Sequence, residues 1–183
     1  MKFVKTPLSG AFEIDIVPRG DERGFFARLF CQDELVKQGL EPRVRQVNNS
    51  LSVEAGTLRG LHYQVAPYGE TKLVRCISGE IFDVILDLRE GSPTFRQWHG
   101  VTLTAENRKM LFVPRGFAHG FLTLKPNTEI IYLVSEVYEG PSERVVRWDD
   151  PQFSIAWPIE PKILSDKDRL APLFSSSTHQ SGY

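Results

Sequence analysis

The feature that most restricts how this chain can fold is its punctuation. Short runs rich in Val, Ile, Leu, Phe and Tyr alternate with clusters of Gly, Pro, Asn and Ser, at the close intervals of an antiparallel sandwich or barrel. This pattern predicts strands over Glu13 to Val17, Val44 to Ser52, Gly56 to Gln64, Lys72 to Ile77 and Glu80 to Leu88. It predicts further strands over Gln97 to Leu103, Lys109 to Val113, His119 to Leu124, Glu129 to Ser135 and Arg144 to Arg147. Ser78-Gly79 and Pro114-Arg115-Gly116 read as hairpin turns between neighbouring runs. Helical periodicity is scarce. Gln32 to Gln38, closed by Gly39, suggests one short helix, and Ser165-Asp166-Lys167-Asp168 has the form of a helix start.

Some strands are apolar on both sides. In EIFDVILDL (Glu80 to Leu88) both faces are mostly Ile, Val, Leu or Phe, so the strand must be covered twice, by a second sheet or by a partner subunit. An all-β, cupin-like jelly-roll barrel with short peripheral helices, in a homodimer, meets that requirement. With 183 residues and 41% hydrophobic content, one core of ordinary size is expected, in a single domain over 1–174. The tail 175–183, SSSTHQSGY, has almost nothing to bury and is expected to be disordered.

Charge and cysteine usage exclude several functions. With 22 basic and 23 acidic residues the net charge is -1, so no overall field exists to hold a nucleic-acid backbone or an anionic membrane surface. An anionic ligand must be met by local cations. No apolar run is long enough to span a bilayer, and MKFVKTPLSG lacks a signal-peptide core. Cys31 and Cys76 lie in apolar stretches, which fits buried, reduced thiols in a cytoplasmic protein.

Polar residues sit oddly inside strand-like runs at Arg59, His62, Gln64, Lys72, Asp83, His119 and Tyr132. Each alone has a structural explanation: a strand histidine is usually hydrogen-bonded framework, a strand lysine snorkels, and a tyrosine in IIYLV packs with its hydroxyl at the edge. Together, among apolar neighbours, they are costly unless they pair with one another or with a ligand, which is the pattern of a concave site. Alternation places His62 and Gln64 on one face with Leu58 and Gly60, and Lys72 with Val74 and Cys76. Strict alternation puts Arg59 on the face opposite His62, unless a bulge at Gly60 re-aims the side chains.

Three chemistries compete for these residues. Metal-binding cupins present two histidines one residue apart on a strand; here the second position is Gln64, and only His62 and His119 are good donors, so no metal or other cofactor is expected. Nucleophilic catalysis lacks both an elbow motif around a serine and an activating partner for Cys76. Proton transfer is the simplest that remains. It needs a base that titrates near neutrality, as an imidazole does, and an acid placed elsewhere. His62 supplies the first, Tyr132 the second, and Lys72 can stabilise charge developing on a carbonyl oxygen. Such a set removes a proton α to a carbonyl and returns one to the other face, giving an epimer.

The order of motifs along the chain carries a resemblance. DERGFF (Asp21 to Phe26), Gln46-x-Asn48-x-Ser50, LRGLHYQ (Leu58 to Gln64), KLVRC with GEIFDV and DLR (Lys72 to Arg89), SPTF, VPRGFAHGF (Val113 to Phe121), YLVSEVY and LSDKD (Leu164 to Asp168) follow one another in turn. Together they closely resemble the dTDP-4-dehydrorhamnose 3,5-epimerase family, from about Phe3 to Leu173. The resemblance implies a cupin jelly roll, a homodimer, no metal, and a nucleotide-linked 4-keto-6-deoxy sugar as substrate, in deoxysugar biosynthesis of the L-rhamnose type. It implies His62 as base, Asp168 as the carboxylate that holds and polarises its imidazole, Tyr132 as proton donor and Lys72 beside the keto oxygen. It further implies substrate contacts at Arg23, Arg59, His119, Gln46 to Asn48, Glu143 and Lys167, with Tyr138 near the nucleotide.

Some positions keep a second reading. Ser165 with Asp168 also fits a helix cap, in which Asp168 would serve only backbone donors. Arg23, Arg59 and Lys72 are the local cations available to a diphosphate, although Arg23 lies in a charged loop where it can simply be solvated. Arg28 stands where many members of the family carry glutamate at a ligand contact, and Glu70 where glutamine is common before the KLVR strand. A mono-epimerase for C3 or C5 of a dTDP-, CDP- or GDP-linked keto sugar would keep the same base and acid. A barrel that binds nucleotide sugars without turnover is a different class of function, and a metal-dependent cupin is a third.

Overall fold

The computed structural model describes residues 1–183 and is built almost entirely from antiparallel strands. In chain order they are β1 (Lys2–Lys5), β2 (Phe12–Asp15), β3 (Arg19–Asp21), β4 (Gly24–Phe26), β5 (Gln46–Ser52), β6 (Leu58–Gln64) and β7 (Lys72–Ser78). There follow β8 (Glu80–Asp87), β9 (Trp98–Thr104), β10 (Met110–Val113), β11 (Phe117–Thr123), β12 (Thr128–Val134) and β13 (Glu143–Val145). Helix α1 (Gln32–Lys37) and helix α2 (Asp166–Arg169) are peripheral, and no helix is long and apolar enough to cross a membrane. A six-stranded sheet in the order β1-β2-β10-β7-β12-β5 faces a five-stranded sheet in the order β13-β6-β11-β8-β9, and β3 pairs with β4 as a separate hairpin. This is a cupin-like double-sheet barrel.

Three apolar layers follow from the alternation. Between the sheets lie Val74, Cys76, Ile81, Ile85, Leu111, Val113, Phe121 and Ile130. Outside the large sheet, Phe12, Ile14, Leu73, Met110 and Phe112 are covered by Leu35 of α1. Outside the small sheet, Val84, Leu86 and Leu88 meet Val146, Phe153 and Phe174 of the chain's own C-terminal segment. The second cover that EIFDVILDL demanded is therefore neither another sheet nor a partner subunit.

Several expectations need correction. The turns at Ser78-Gly79 and Pro114-Arg115-Gly116 do not close hairpins: β7 and β10 belong to the large sheet, while β8 and β11 belong to the small one. Both turns are corners that carry the chain from one sheet to the other, and Gly79 accommodates its corner with φ +74. Turn chemistry reports a reversal, not which sheet the next strand joins. The tail 175–183 is not loose. His179 and Ser181 are 3% and 1% exposed, Ser181 Oγ donates to the Leu88 carbonyl at 3.0 Å, and the Ala66 N–H donates to the Ser181 carbonyl at 3.0 Å. Small polar residues here find backbone partners in place of an apolar pocket. Cys76 is buried, whereas Cys31 is only half-buried beside α1. Strands β1, β3 and β4 are short and carry no clear periodicity that would announce them.

Candidate active site

The key to the site is a register change on β6. His62 pairs with His119 of β11, and Arg59 pairs with Phe121, so β6 advances three residues while β11 advances two. The extra residue turns Arg59 and His62 to the same side, which strict alternation forbids. Gly60 permits it, with φ +121 and a backbone approach so close that an added Cβ would lie 2.5 Å from Gly120 Cα. Both side chains then line one cavity of about 680 Å³ between the sheets.

The facing sheet supplies the other groups. Tyr132 of β12 lies in register with Val74 of β7 and Asn48 of β5, and Lys72 opens β7. His62, Lys72 and Tyr132 also border a second cavity of about 360 Å³, which continues to Gln46, Asn48, Tyr138 and Glu143. These three residues form the waist between the two spaces. His119 and Lys167 line the larger one with Arg59.

Helix α2 reaches the cavity because the segment before it is tied to β6: the Leu58 N–H donates to the Ile163 carbonyl at 2.9 Å. That delivers the Asp168 carboxylate, 3% exposed, to His62, with Nε2 and Oδ1 2.5 Å apart. Ser165 caps the helix by accepting from the Asp168 N–H at 3.2 Å. The cap and the imidazole pair thus coexist, because Asp168 uses its backbone for one and its side chain for the other. Burial opposes ionisation of this carboxylate, yet hydrogen bonds from His62, Ser165 and the Gly60 backbone hold it below the usual carboxylate range. With Nε2 committed to Asp168, Nδ1 is the nitrogen left for a ligand.

A second imidazole–carboxylate pair lies beside the first, on the neighbouring strand β11. His119 Nε2 is 2.7 Å from Oδ1 of Asp83, which is fully buried with Oδ2 unpartnered. Each histidine nitrogen that faces away from the cavity is therefore bound to a carboxylate, and no three His, Cys, Asp or Glu side chains converge as metal ligands. Burial pushes the Tyr132 phenol up, the Arg59 guanidinium opposes the shift, and the Glu70 carboxylate adds to it. Burial also pushes the Cys76 thiol up to about 11, which leaves it inert at neutral pH. At the rim, Glu143 accepts from Lys167 Nζ at 2.8 Å and from the Tyr138 hydroxyl at 3.2 Å. Tyr138 itself is 64% exposed.

Two sequence candidates lie outside both cavities. Arg23 pairs with Asp21 at 2.5 Å, its side chain 84% exposed, and Arg28 approaches Glu34 at 4.0 Å near Met1. Conversely, Ser50, Glu70 and the stretch Ile163 to Ser165 line the cavities, although none of them was expected as a substrate contact. Glu70 sits in a loop where no periodicity signals its direction. Asp83 carried a signal, a charge inside an apolar strand, but nothing local names His119 as its partner.

A double-sheet barrel with imidazole, phenol and ammonium groups converging on its interior defines a cupin-like epimerase, an isomerase that works by proton transfer. Residues 5–176 match the family model described as dTDP-4-dehydrorhamnose 3,5-epimerase. The dTDP-4-dehydrorhamnose 3,5-epimerase of Shigella flexneri is 44% identical over 170 residues, 92% of this chain and 93% of its own. The crystal structure of the Bacillus anthracis enzyme of that name, with TDP and PPi bound, superposes with a TM-score of 0.91 at 45% identity, covering 94% of this chain and 99% of its own. A Legionella pneumophila dTDP-6-deoxy-D-glucose-3,5-epimerase in complex with dTDP-4-keto-L-rhamnose has a TM-score of 0.87 at 40% identity, covering 94% and 92%. The chain belongs to the dTDP-4-dehydrorhamnose 3,5-epimerase family.

Proposed function

We propose that this chain inverts C3 and C5 of a dTDP-linked 4-keto-6-deoxyhexose, with His62 as base and Tyr132 as acid. The observation that carries the reading is that the two groups project from facing sheets into one cavity, with Asp168 behind the imidazole. Facing sheets stand about 10 Å apart, room for one sugar ring. His62 removes the proton at a carbon α to the C4 ketone, and the electron pair moves onto the carbonyl oxygen. Lys72 stabilises the enolate that forms. As the carbonyl re-forms, Tyr132 donates its proton to that carbon from the opposite face. His62 has then gained a proton and Tyr132 lost one, and exchange with solvent resets both. Asp168 fixes the imidazole orientation. Arg59 and Lys167 supply local positive charge to the ligand, and His119 a hydrogen bond. Gln46, Asn48, Tyr138 and Glu143 line the space into which the nucleotide extends.

The second part of the reading is a homodimer. The outer face of the large sheet at its β5 edge exposes Val47, Leu51 and Val53, and Phe25 and Phe26 stand open on the β3–β4 hairpin. Buried Arg75 Nε has no partner on that sheet. A second copy covering this face would bury the patch, and the hairpin that carries Arg23 is free to meet a neighbouring site. Sedimentation of a dimer supports this; a monomer at micromolar concentration overturns it.

Turnover is tested by incubation with the dTDP-linked 4-keto-6-deoxy sugar in heavy water, followed by proton NMR. Deuterium is expected at both C3 and C5, and at neither in His62→Ala. Incorporation at one carbon identifies a mono-epimerase, and normal exchange in His62→Ala refutes the assignment of the base.

A further inference from the structure

The Lys72 ammonium has an anchor that the reaction above does not use. Glu70, in the loop before β7, places Oε1 3.2 Å from Lys72 Nζ, with the two side chains 10% and 11% exposed. Its Oε2 accepts from Gln64 Nε2 of β6. Gln64 is itself pinned: its amide donates to the Tyr68 carbonyl at 2.8 Å, and its Oε1 accepts from the Glu139 N–H at 2.6 Å. The carboxylate is thus held by a rigid neutral partner on one side and a cation on the other. The ammonium has one further protein acceptor, the His62 carbonyl at 3.5 Å.

A buried ion pair is poor as a source of stability, because desolvation offsets most of the attraction. This one also joins residues two apart in sequence, so it ties no distant elements together. Its effect is local: it decides where a positive charge stands in a cavity. Lys72 is one of three side chains shared by both cavities, and Glu70 lines the smaller one.

We propose that Glu70 is a positioning residue that tethers the Lys72 ammonium at the waist between the two cavities, beside Tyr132 on the large sheet, where it meets the substrate's carbonyl oxygen. The proposal rests on the epimerase reading given above. A flexible four-carbon stem allows an untethered ammonium many positions, and stabilisation of a developing enolate falls steeply when the charge is misplaced.

The same carboxylate acts on the proton donor. The charged groups around Tyr132 and Lys72 come from every neighbouring element. Strand β6 contributes Arg59 and His62, the latter backed by Asp168 of α2, and β11 contributes His119, backed by Asp83 of β8. At the start of β13, Glu143 is paired to Lys167, and Glu136 lies just past the end of β12, paired with Arg43 and Arg45. At the phenol, Arg59 favours ionisation and Glu70 resists it. Without Glu70, burial still holds the phenol up and Arg59 still opposes it, but one of the two upward influences is gone and the phenol loses its proton at lower pH.

The test is Glu70→Gln, which keeps the volume and an acceptor for Gln64. The expected result is a fall in kcat of about tenfold with KM changed by less than about threefold, and an alkaline limb of the kcat profile displaced to lower pH. Glu70→Asp, which restores the charge, is expected to return the limb toward its original position. Superimposable kcat and pH profiles for wild type and Glu70→Gln overturn the proposal. If Glu70→Gln melts at a lower temperature, a double-mutant cycle with Lys72→Met decides: a tether predicts that Glu70→Gln has no further effect on kcat once the ammonium is gone, and full additivity overturns it. A wild-type protein that exchanges no sugar proton instead refutes the epimerase reading and leaves a distinct signature, since no profile exists to shift.

Discussion

At the level of single side chains, the site is a set of polar groups whose burial is tolerable because each is paired. His62 pairs with Asp168 and Lys72 with Glu70 at the cavity walls, and His119, also at the wall, pairs with Asp83 behind it. The Asp168 carboxylate is held low in the folded protein, so it stabilises the fold above the carboxylate's unfolded pKa, and that contribution is lost as pH falls through the folded value. Urea unfolding of wild type and Asp168→Asn should therefore differ at neutral pH and converge at acid pH once the folded carboxylate is protonated. In turnover, Asp168→Asn should lower kcat by about a hundredfold or more, since the imidazole loses its orienting acceptor. Tyr132→Phe separates the two proton transfers. His62 still removes a proton and returns deuterium to the same face, so wash-in in heavy water should persist while inverted product disappears. The types of these residues were readable along the chain. The pairing of His62 with Asp168 was expected only from the resemblance, because the two stand 106 positions apart and no local rule joins them; those of His119 with Asp83 and Lys72 with Glu70 were not anticipated.

At the level of strands and helices, the decisive unit is β6 with its register change. The sequence offered Gly60 as a candidate bulge and left Arg59 facing away from His62. The observed register brings both into the cavity, because two backbones cross at Gly60 and Gly120 with no room for side chains. Gly60→Ala combines a positive φ with a Cβ 2.8 Å from the His119 carbonyl oxygen. It should destabilise the protein by about 1–3 kcal/mol or more, and lower kcat disproportionately in the fraction that folds, as read by chemical unfolding and by the exchange assay. Helix α2 shows the same dependence on context. Four residues make no independent helix, and this one exists because Ser165 caps it and the Ile163 segment ties it to β6.

For the molecule as a whole, the C-terminal segment completes the fold. Phe174, 5% exposed, packs edge-on to Phe153 at 5.3 Å and lies beneath Arg96 at 5.0 Å, over the outer face of the small sheet. Phe174→Ala should cost about 3–5 kcal/mol in urea unfolding and release the tail to proteolysis, while the cavity residues keep their places. The large sheet lacks such a cover at its β5 edge, which is why the oligomer is argued from that face.

Periodicity, turn residues and residue chemistry act over a few positions, so the chain alone determined that it is a β protein, that two short helices form, and that an imidazole, a phenol and an ammonium are its candidates for proton transfer. Sheet membership, the convergence of Arg59 with His62, the burial of the tail and the absence of Arg23 and Arg28 from the cavities depend on contacts between distant segments. Those contacts are chosen by which apolar faces and backbone groups can be satisfied together, and that choice exists only once the two sheets have closed on each other.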